Sequence, residues 1–164
     1  MLAICKVEEK QLPKLCESYE STPISPVAAQ ELGLPEACMV AAGAGDNAAA
    51  AIGTGTVGEG KCNISLGTSG TIFISSEEFG VDSHNALHSF CHADGGYHLM
   101  GCMLSAASCN KWFCEHILKT EDYNVEQTDI KTENLGNNHV FFLPYLMGER
   151  SPLNDTHARG MFIG

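Results

Sequence analysis

Basic residues are scarce: nine Lys and Arg stand against twenty Asp and Glu in 164 residues, a net charge of -11. A surface that holds nucleic acid or anionic lipid without sequence preference needs a basic face, so both partner classes are excluded as expectations. Long hydrophobic runs are missing as well. No stretch nears eighteen uninterrupted apolar residues, and the opening MLAICKVEEK turns charged after five, so neither a membrane span nor a signal peptide is supported and the cytoplasm is the expected compartment. Outside a secreted chain, the acceptor tripeptides at Asn63-Ile64-Ser65 and Asn154-Asp155-Thr156 carry no meaning. The eight cysteines form no C-x-x-C pair and sit mostly among apolar or small neighbours, which predicts reduced, mostly buried thiols. Repeats and low-complexity tracts are absent.

What is present suits a folded protein. The apolar fraction is 44% and the charged fraction 18%, and the length allows one ordinary domain or two partial ones. Leu12, Leu15 and Cys16 share a helical face near the start, Pro23 and Pro26 interrupt, and a short helix over 27–32 should stop at Gly33 and Pro35. The run 38–42 reads as a buried strand and 47–52 as an alanine-rich helix, with Gly43-Ala44-Gly45-Asp46 as the turn between them. Glycines 53, 55, 58 and 60 then loosen the chain, and the boundary between two partial domains, 1–57 and 58–164, is expected here. Strand-like runs follow at 62–66 and 71–75, joined by Gly67-Thr68-Ser69-Gly70, then at 87–92, 97–100 and 139–143. A helix over about 105–118 should turn Ala107, Trp112 and Ile117 inward, and a short helix is expected around 125–130.

Several patterns fail on context. Gly53-Thr54-Gly55-Thr56-Val57-Gly58 satisfies G-x-G-x-x-G, and Gly55 to Lys61 satisfies G-x-x-x-x-G-K, but a helix precedes them and a strand follows, the reverse of a phosphate loop. Cys62 also lacks the hydroxyl that would bind magnesium there. His84, His88, Cys91, His92, His98 and Cys102 lack the spacing of a zinc site and read better as core or surface residues. Ser108-Cys109-Asn110-Lys111 matches S-x-x-K without its companion motifs.

Two features survive. Asp46 follows a predicted strand and precedes a helix, where a carboxylate projects into the crevice at the carboxyl edge of an α/β sheet. At that place an Asp also serves as a helix N-cap, and from the residues alone capping stands ahead of catalysis. Leu66-Gly67-Thr68-Ser69-Gly70-Thr71 can aim N–H groups and hydroxyls at a phosphate without net positive charge, or be a plain hairpin loop.

Five strings then stand in one order: GAGDNAAA at 43–50, SLGTSGT at 65–71, HSFCH at 88–92, MLSAAS at 103–108 and FLPYLMGERSP at 142–152. Together they resemble the FGGY carbohydrate kinases, and within them look closest to the xylulokinases. The resemblance implies a ribonuclease H-like, actin-like ATPase fold of the α/β class, incomplete here: the end of a first, sugar-binding domain and the start of a second, nucleotide-binding one. It implies ATP with Mg2+, and a sugar substrate, D-xylulose converted to D-xylulose 5-phosphate. Asp46 matches the family's general base, with Asn47 beside the sugar. Gly67, Thr68, Ser69 and Gly70 match the turn that meets the nucleotide phosphates, and Ser105, Ala106 and Asn110 lie where relatives contact nucleotide. Glu149 and Arg150 are expected as a structural ion pair near the cleft. The family's first phosphate hairpin and its adenosine motif are not among these residues, so the 164-residue chain alone is expected to show negligible kinase activity. A homodimer, another family activity (ribulokinase, gluconokinase, glycerol kinase) and a non-catalytic remnant or assembly module stay open.

Overall fold

The structure, a computed structural model, describes residues 2–128 and 130–164, without the side chains of residues 125 and 126. Helix α1 (Leu2–Cys5) and a 3-10 turn (Glu9–Gln11) lead into strand β1 (Ser21–Pro23), helix α2 (Pro26–Leu32), strand β2 (Met39–Ala41) and helix α3 (Asp46–Gly53). Four strands follow: β3 (Cys62–Leu66), β4 (Gly70–Ser76), β5 (His88–Cys91) and β6 (Tyr97–Met103). Helix α4 (Ala107–Trp112) runs on as a π-helical segment (Phe113–Leu118), and helix α5 (Val125–Thr128), a 3-10 turn (Thr132–Asn134) and strands β7 (Phe141–Leu143) and β8 (Met161–Ile163) complete the chain. The helix expected to reach residue 130 is thus shorter, and residue 129 lies outside the described residues.

Local chemistry explains the first helices. Ser25 caps α2 by accepting the Ala28 N–H, Pro26 occupies the first helical position, and Gly33 closes the helix in the left-handed region. Residues 12–16 are not helical, and Leu12 and Leu15 are exposed. The predicted strand 38–42 narrows to β2, which pairs antiparallel with the unpredicted β1. It is not buried: Met39 and Val40 are both exposed, because β1 is the single strand beside it among the described residues.

The centre of the molecule is an antiparallel sheet in the order β3-β4-β6-β5. Directly opposed residues share a face, so the register Ile64↔Ile72↔Gly101 and Ile74↔Leu99 puts the branched aliphatic side chains on one side. Phe73↔Met100, Ser75↔His98 and Phe90↔His98 occupy the other. Gly70, where β4 leaves the turn, is packed closely: a Cβ would stand 3.0 Å from Ala106 Cβ and from Met103 Cγ, so a larger residue would have to push them aside. Phe142 and Phe162 of the β7–β8 pair stack at 4.6 Å, and Phe142 lies parallel to Trp112.

The long helix differs from expectation in phase. Cys109 and Cys114, five residues apart across the π-helical turn after Trp112, point inward; Ala107 and Ile117 are exposed, while Trp112, as expected, is half-buried and stacked on Phe142. The cysteines also depart from the mostly buried pattern. Cys102, Cys109 and Cys114 are buried, Cys38 is half-buried, and Cys5, Cys16, Cys62 and Cys91 are exposed, all as free thiols. Burial, reinforced by the Glu149 carboxylate, pushes the Cys109 thiol above its ordinary value.

Candidate functional site

The strand-to-helix turn begins with Gly43 in the left-handed region (φ 77°), a conformation that favours glycine, and delivers the chain to α3 with Gly45, not Asp46, as N-cap. Asp46 is the first helical residue. Its Oδ1 accepts the Asn47 backbone N–H at 2.8 Å and the Asn47 side-chain amide at 3.3 Å. One carboxylate oxygen thus holds the first turn while the side chain stays exposed to solvent. Asp46 is therefore not the N-cap weighed from the sequence: Gly45 holds that position, and the carboxylate binds its own neighbour Asn47 one residue inside the helix. Asp46 and Asn47 line a cavity of about 470 Å3 whose far wall is Phe90, His98 and Met100 of the central sheet.

The residues behind that wall are held by hydrogen bonds from the glycine-rich segment. His92, fully enclosed, reaches the Thr56 carbonyl through Nε2 (2.8 Å) and accepts the Ala93 N–H through Nδ1 (2.7 Å). Asp94 accepts N–H bonds from Gly96 and Gly58. Burial alone would raise the Asp94 carboxyl, but those N–H groups and the nearby His92 outweigh it and hold it below the usual carboxylate range. Ser75 donates to the Gly58 carbonyl and accepts the Lys61 N–H, and Asn63 donates to Thr54 Oγ1 at 2.9 Å. The segment 53–60 therefore works as a tied linker between α3 and β3, the helix-then-strand order that disqualified it as a phosphate loop.

The turn 67–70 joins β3 to β4 and rests on the start of α4. Ala106 N–H donates to the Thr68 carbonyl and Ala107 N–H to the Gly67 carbonyl, while Ser108 Oγ donates to the Thr68 carbonyl at 2.9 Å. Ser69 Oγ donates to the Leu104 carbonyl at 3.2 Å. The two groups of residues expected at the nucleotide are thereby brought together. A second cavity, of about 500 Å3, is lined by Thr68, Ala107, Ser108, Asn110, Lys111 and Tyr123. Ser105 sits behind it, buried, with its Oγ unmatched. Asp46 and Thr68 line different cavities, and of the turn 67–70 only Thr68 reaches the second.

Glu149 corrects an expectation. No ion pair joins it to Arg150 among the described residues; Arg150 is exposed, and the buried Glu149 carboxylate accepts the backbone N–H groups of Leu104 (3.1 Å) and Arg150 (2.6 Å). Adjacent side chains rarely face each other, whereas a carboxylate readily folds back onto main-chain donors. His98, Phe90 and Met100 in the Asp46 cavity, and Lys111 and Tyr123 in the other, were not singled out as site residues from the sequence. The alternation of β6 against Phe73 is the signal that puts His98 on the Asp46 side. Among the described residues no three His, Cys, Asp or Glu side chains gather to hold a metal, and no helix is long and apolar enough to cross a membrane.

Residues 62–164 match the C-terminal domain of the FGGY family of carbohydrate kinases. A xylulose kinase from Klebsiella pneumoniae is 42% identical over the whole chain, which covers 34% of that protein. Among solved structures, a xyloylose kinase from Brucella ovis superposes with a TM-score of 0.86 at 40% identity, over 99% of this chain and 34% of the other. A gluconate kinase from Lactobacillus acidophilus does so with a TM-score of 0.82 at 29% identity, over 99% and 34%. The chain thus spans about a third of the length of the relatives it matches. Its mixed helix-and-sheet architecture is part of the ribonuclease H-like, actin-like ATPase fold those kinases share.

Proposed function

Since the chain belongs to the FGGY family of carbohydrate kinases, we propose that it is the middle portion of an ATP-dependent sugar kinase that converts D-xylulose to D-xylulose 5-phosphate. The observation that carries this reading is the pair of cavities: a carboxylate with a neighbouring amide in one, Asp46 and Asn47, and a hydroxyl-rich turn seated on a helix start in the other. Phosphoryl transfer depends chiefly on positioning and charge stabilisation, so a proton acceptor and a phosphate cradle are the parts it requires. The identity to xylulose kinases favours D-xylulose over gluconate, ribulose or glycerol.

In this mechanism Asp46 takes the proton of the attacking sugar hydroxyl. Oδ1 is committed to Asn47, which fixes the carboxylate's orientation and turns the other oxygen to the substrate. Asn47 orients the sugar beside it. ATP, taken as its magnesium complex, brings its phosphates to Gly67, Thr68, Ser69 and Gly70, with Ser105, Ala106 and Asn110 toward the nucleotide, a reading supported by Asn110 lining the cavity and by the Ala106 N–H bond to the Thr68 carbonyl. The same reading divides the chain into 1–57 and 58–164, a division supported by the family match beginning at Cys62.

The test is Asp46→Asn in the kinase at full family length. ADP release with ATP and D-xylulose should fall by roughly 10²–10⁴-fold, while D-xylulose still binds, because the amide keeps the shape and loses the basicity. Turnover within about threefold of the parent would sink the assignment. Soluble protein that no longer melts cooperatively would instead make Asp46 a structural residue of α3.

A further inference from the structure

The two buried histidines of the central sheet are treated differently by their surroundings. His92 has both ring nitrogens matched, to the Thr56 carbonyl and the Ala93 N–H. His98, 5% exposed, lies flat on Phe73 (centroids 3.9 Å apart, 20° between planes), and its Nδ1 is buried with no partner. Leaving a buried polar atom unmatched costs about 1–3 kcal/mol, and an apolar ring would fill the same place without that cost. His98 also lines the cavity that holds Asp46 and Asn47, which gives its other nitrogen, Nε2, a use.

The tautomer follows from the environment. A buried N–H without an acceptor is worse tolerated than an unmatched lone pair, so the ring proton belongs on Nε2 and not on the sealed Nδ1. We propose that His98 is a sugar-binding residue of the Asp46 cavity, its Nε2–H donating to a hydroxyl oxygen of the polyol whose other hydroxyl is presented to Asp46. The inference rests on the sugar-kinase reading and adds to it a contact from the second half of the chain. The stack on Phe73 holds the ring in plane, and Phe90, tilted against His98 at 5.4 Å, closes the same wall.

The experiment compares the full-length kinase with its His98→Phe and His98→Asn variants. Phe keeps the stack and removes both nitrogens; it should raise the KM for D-xylulose at least tenfold and leave the KM for ATP within twofold. Asn, which restores a donor, should recover part of the loss. A D-xylulose analogue lacking the contacted hydroxyl should bind the parent and His98→Phe equally. Independently of any variant, 15N-histidine NMR of the parent should show the His98 Nε2 resonance move on saturation with D-xylulose. A parent that binds D-xylulose with that resonance unmoved, or a folded His98→Phe variant that binds it within twofold, overturns the assignment and leaves the kinase reading intact. A parent that binds none of D-xylulose, D-ribulose, D-gluconate and glycerol overturns both.

Discussion

The two faces of the four-stranded sheet are the reverse of a simple inside-outside division. Ile64, Leu66, Ile72 and Ile74 stand on the open face, Leu66 at 74% exposure, whereas the closed face holds Ser75 and His98 beside Phe73, which is 1% exposed. Apolar surface alone therefore does not decide what is covered in these residues. The closed face is covered because the 53–60 linker and the 92–94 turn bring it hydrogen-bonding partners, namely the Gly58 carbonyl and Lys61 N–H for Ser75 and the Thr56 carbonyl for His92. On the open face a cavity of about 480 Å3 runs from Ile64 and Ile72 to Tyr145, Glu149 and Pro152, so the segment 144–152 laps its edge.

The sharpest way to break the comparison is to truncate one residue on each face. Phe73→Ala should cost about 3–5 kcal/mol, measured by urea denaturation, because it leaves a cavity under two histidines. Ile72→Ala, one residue away and 52% exposed, should cost under about 1 kcal/mol. Equal costs would mean that the open face is in fact covered in solution.

Acid should separate the faces next. Burial first, and then the neighbouring His92, push the His98 imidazole down to about 4, against an ordinary value of 6.5, with Asp94 opposing. A group whose folded value is depressed resists a proton that the unfolded chain accepts. The stabilisation is therefore complete above about 6.5 and is lost as pH falls from there toward 4, by up to ~3 kcal/mol. Thermal melts between pH 7 and 4 should show this slope, and His98→Phe should flatten it. The smallest expected effect is at the edge of the open face. Glu149→Gln keeps one acceptor oxygen for the Leu104 and Arg150 N–H groups and should lower stability by about 1–2 kcal/mol, whereas Arg150→Ala should change it by less than ~0.5 kcal/mol. Equal losses in the two variants would restore the ion pair.

Much of this arrangement is legible in the residues, and the exceptions share a cause. The β3–β4 hairpin could be read because Gly67 and Gly70 punctuate a short turn between alternating runs, and α2 because Ser25, Pro26 and Gly33 punctuate it locally. Strands β1 and β8 were missed: each is three residues long, and its pairing is with a partner far along the chain, so nothing local announces it. On the α4 helix Trp112 was placed correctly, but Cys109 and Cys114 take the inward positions expected of Ala107 and Ile117, because small thiols fit against the neighbouring segments and no local pattern marks them. At the candidate site Asp46 could be found from its place in the strand-turn-helix order, and family strings raised it above a cap. Glu149 beside Arg150 invited an ion pair, and no sequence pattern reveals that two backbone N–H groups, one of them 45 residues away, claim the carboxylate instead.

The turn at 67–70 has one more property, which concerns polarity. Ser69 gives its hydroxyl proton to the Leu104 carbonyl and Ser108 gives its own to the Thr68 carbonyl, so neither hydroxyl has a proton left to donate. Thr68 and Ser69 meanwhile donate no backbone hydrogen bond among the described residues. The turn thus carries unpaired N–H groups beside hydroxyl oxygens that can only accept. A bare anion would meet N–H groups and, beside them, oxygens that repel it; an anion arriving with its counter-cation would find a complement for each charge. If the turn meets nucleotide phosphates as proposed, the magnesium complex of ATP should therefore bind it better than free phosphate does.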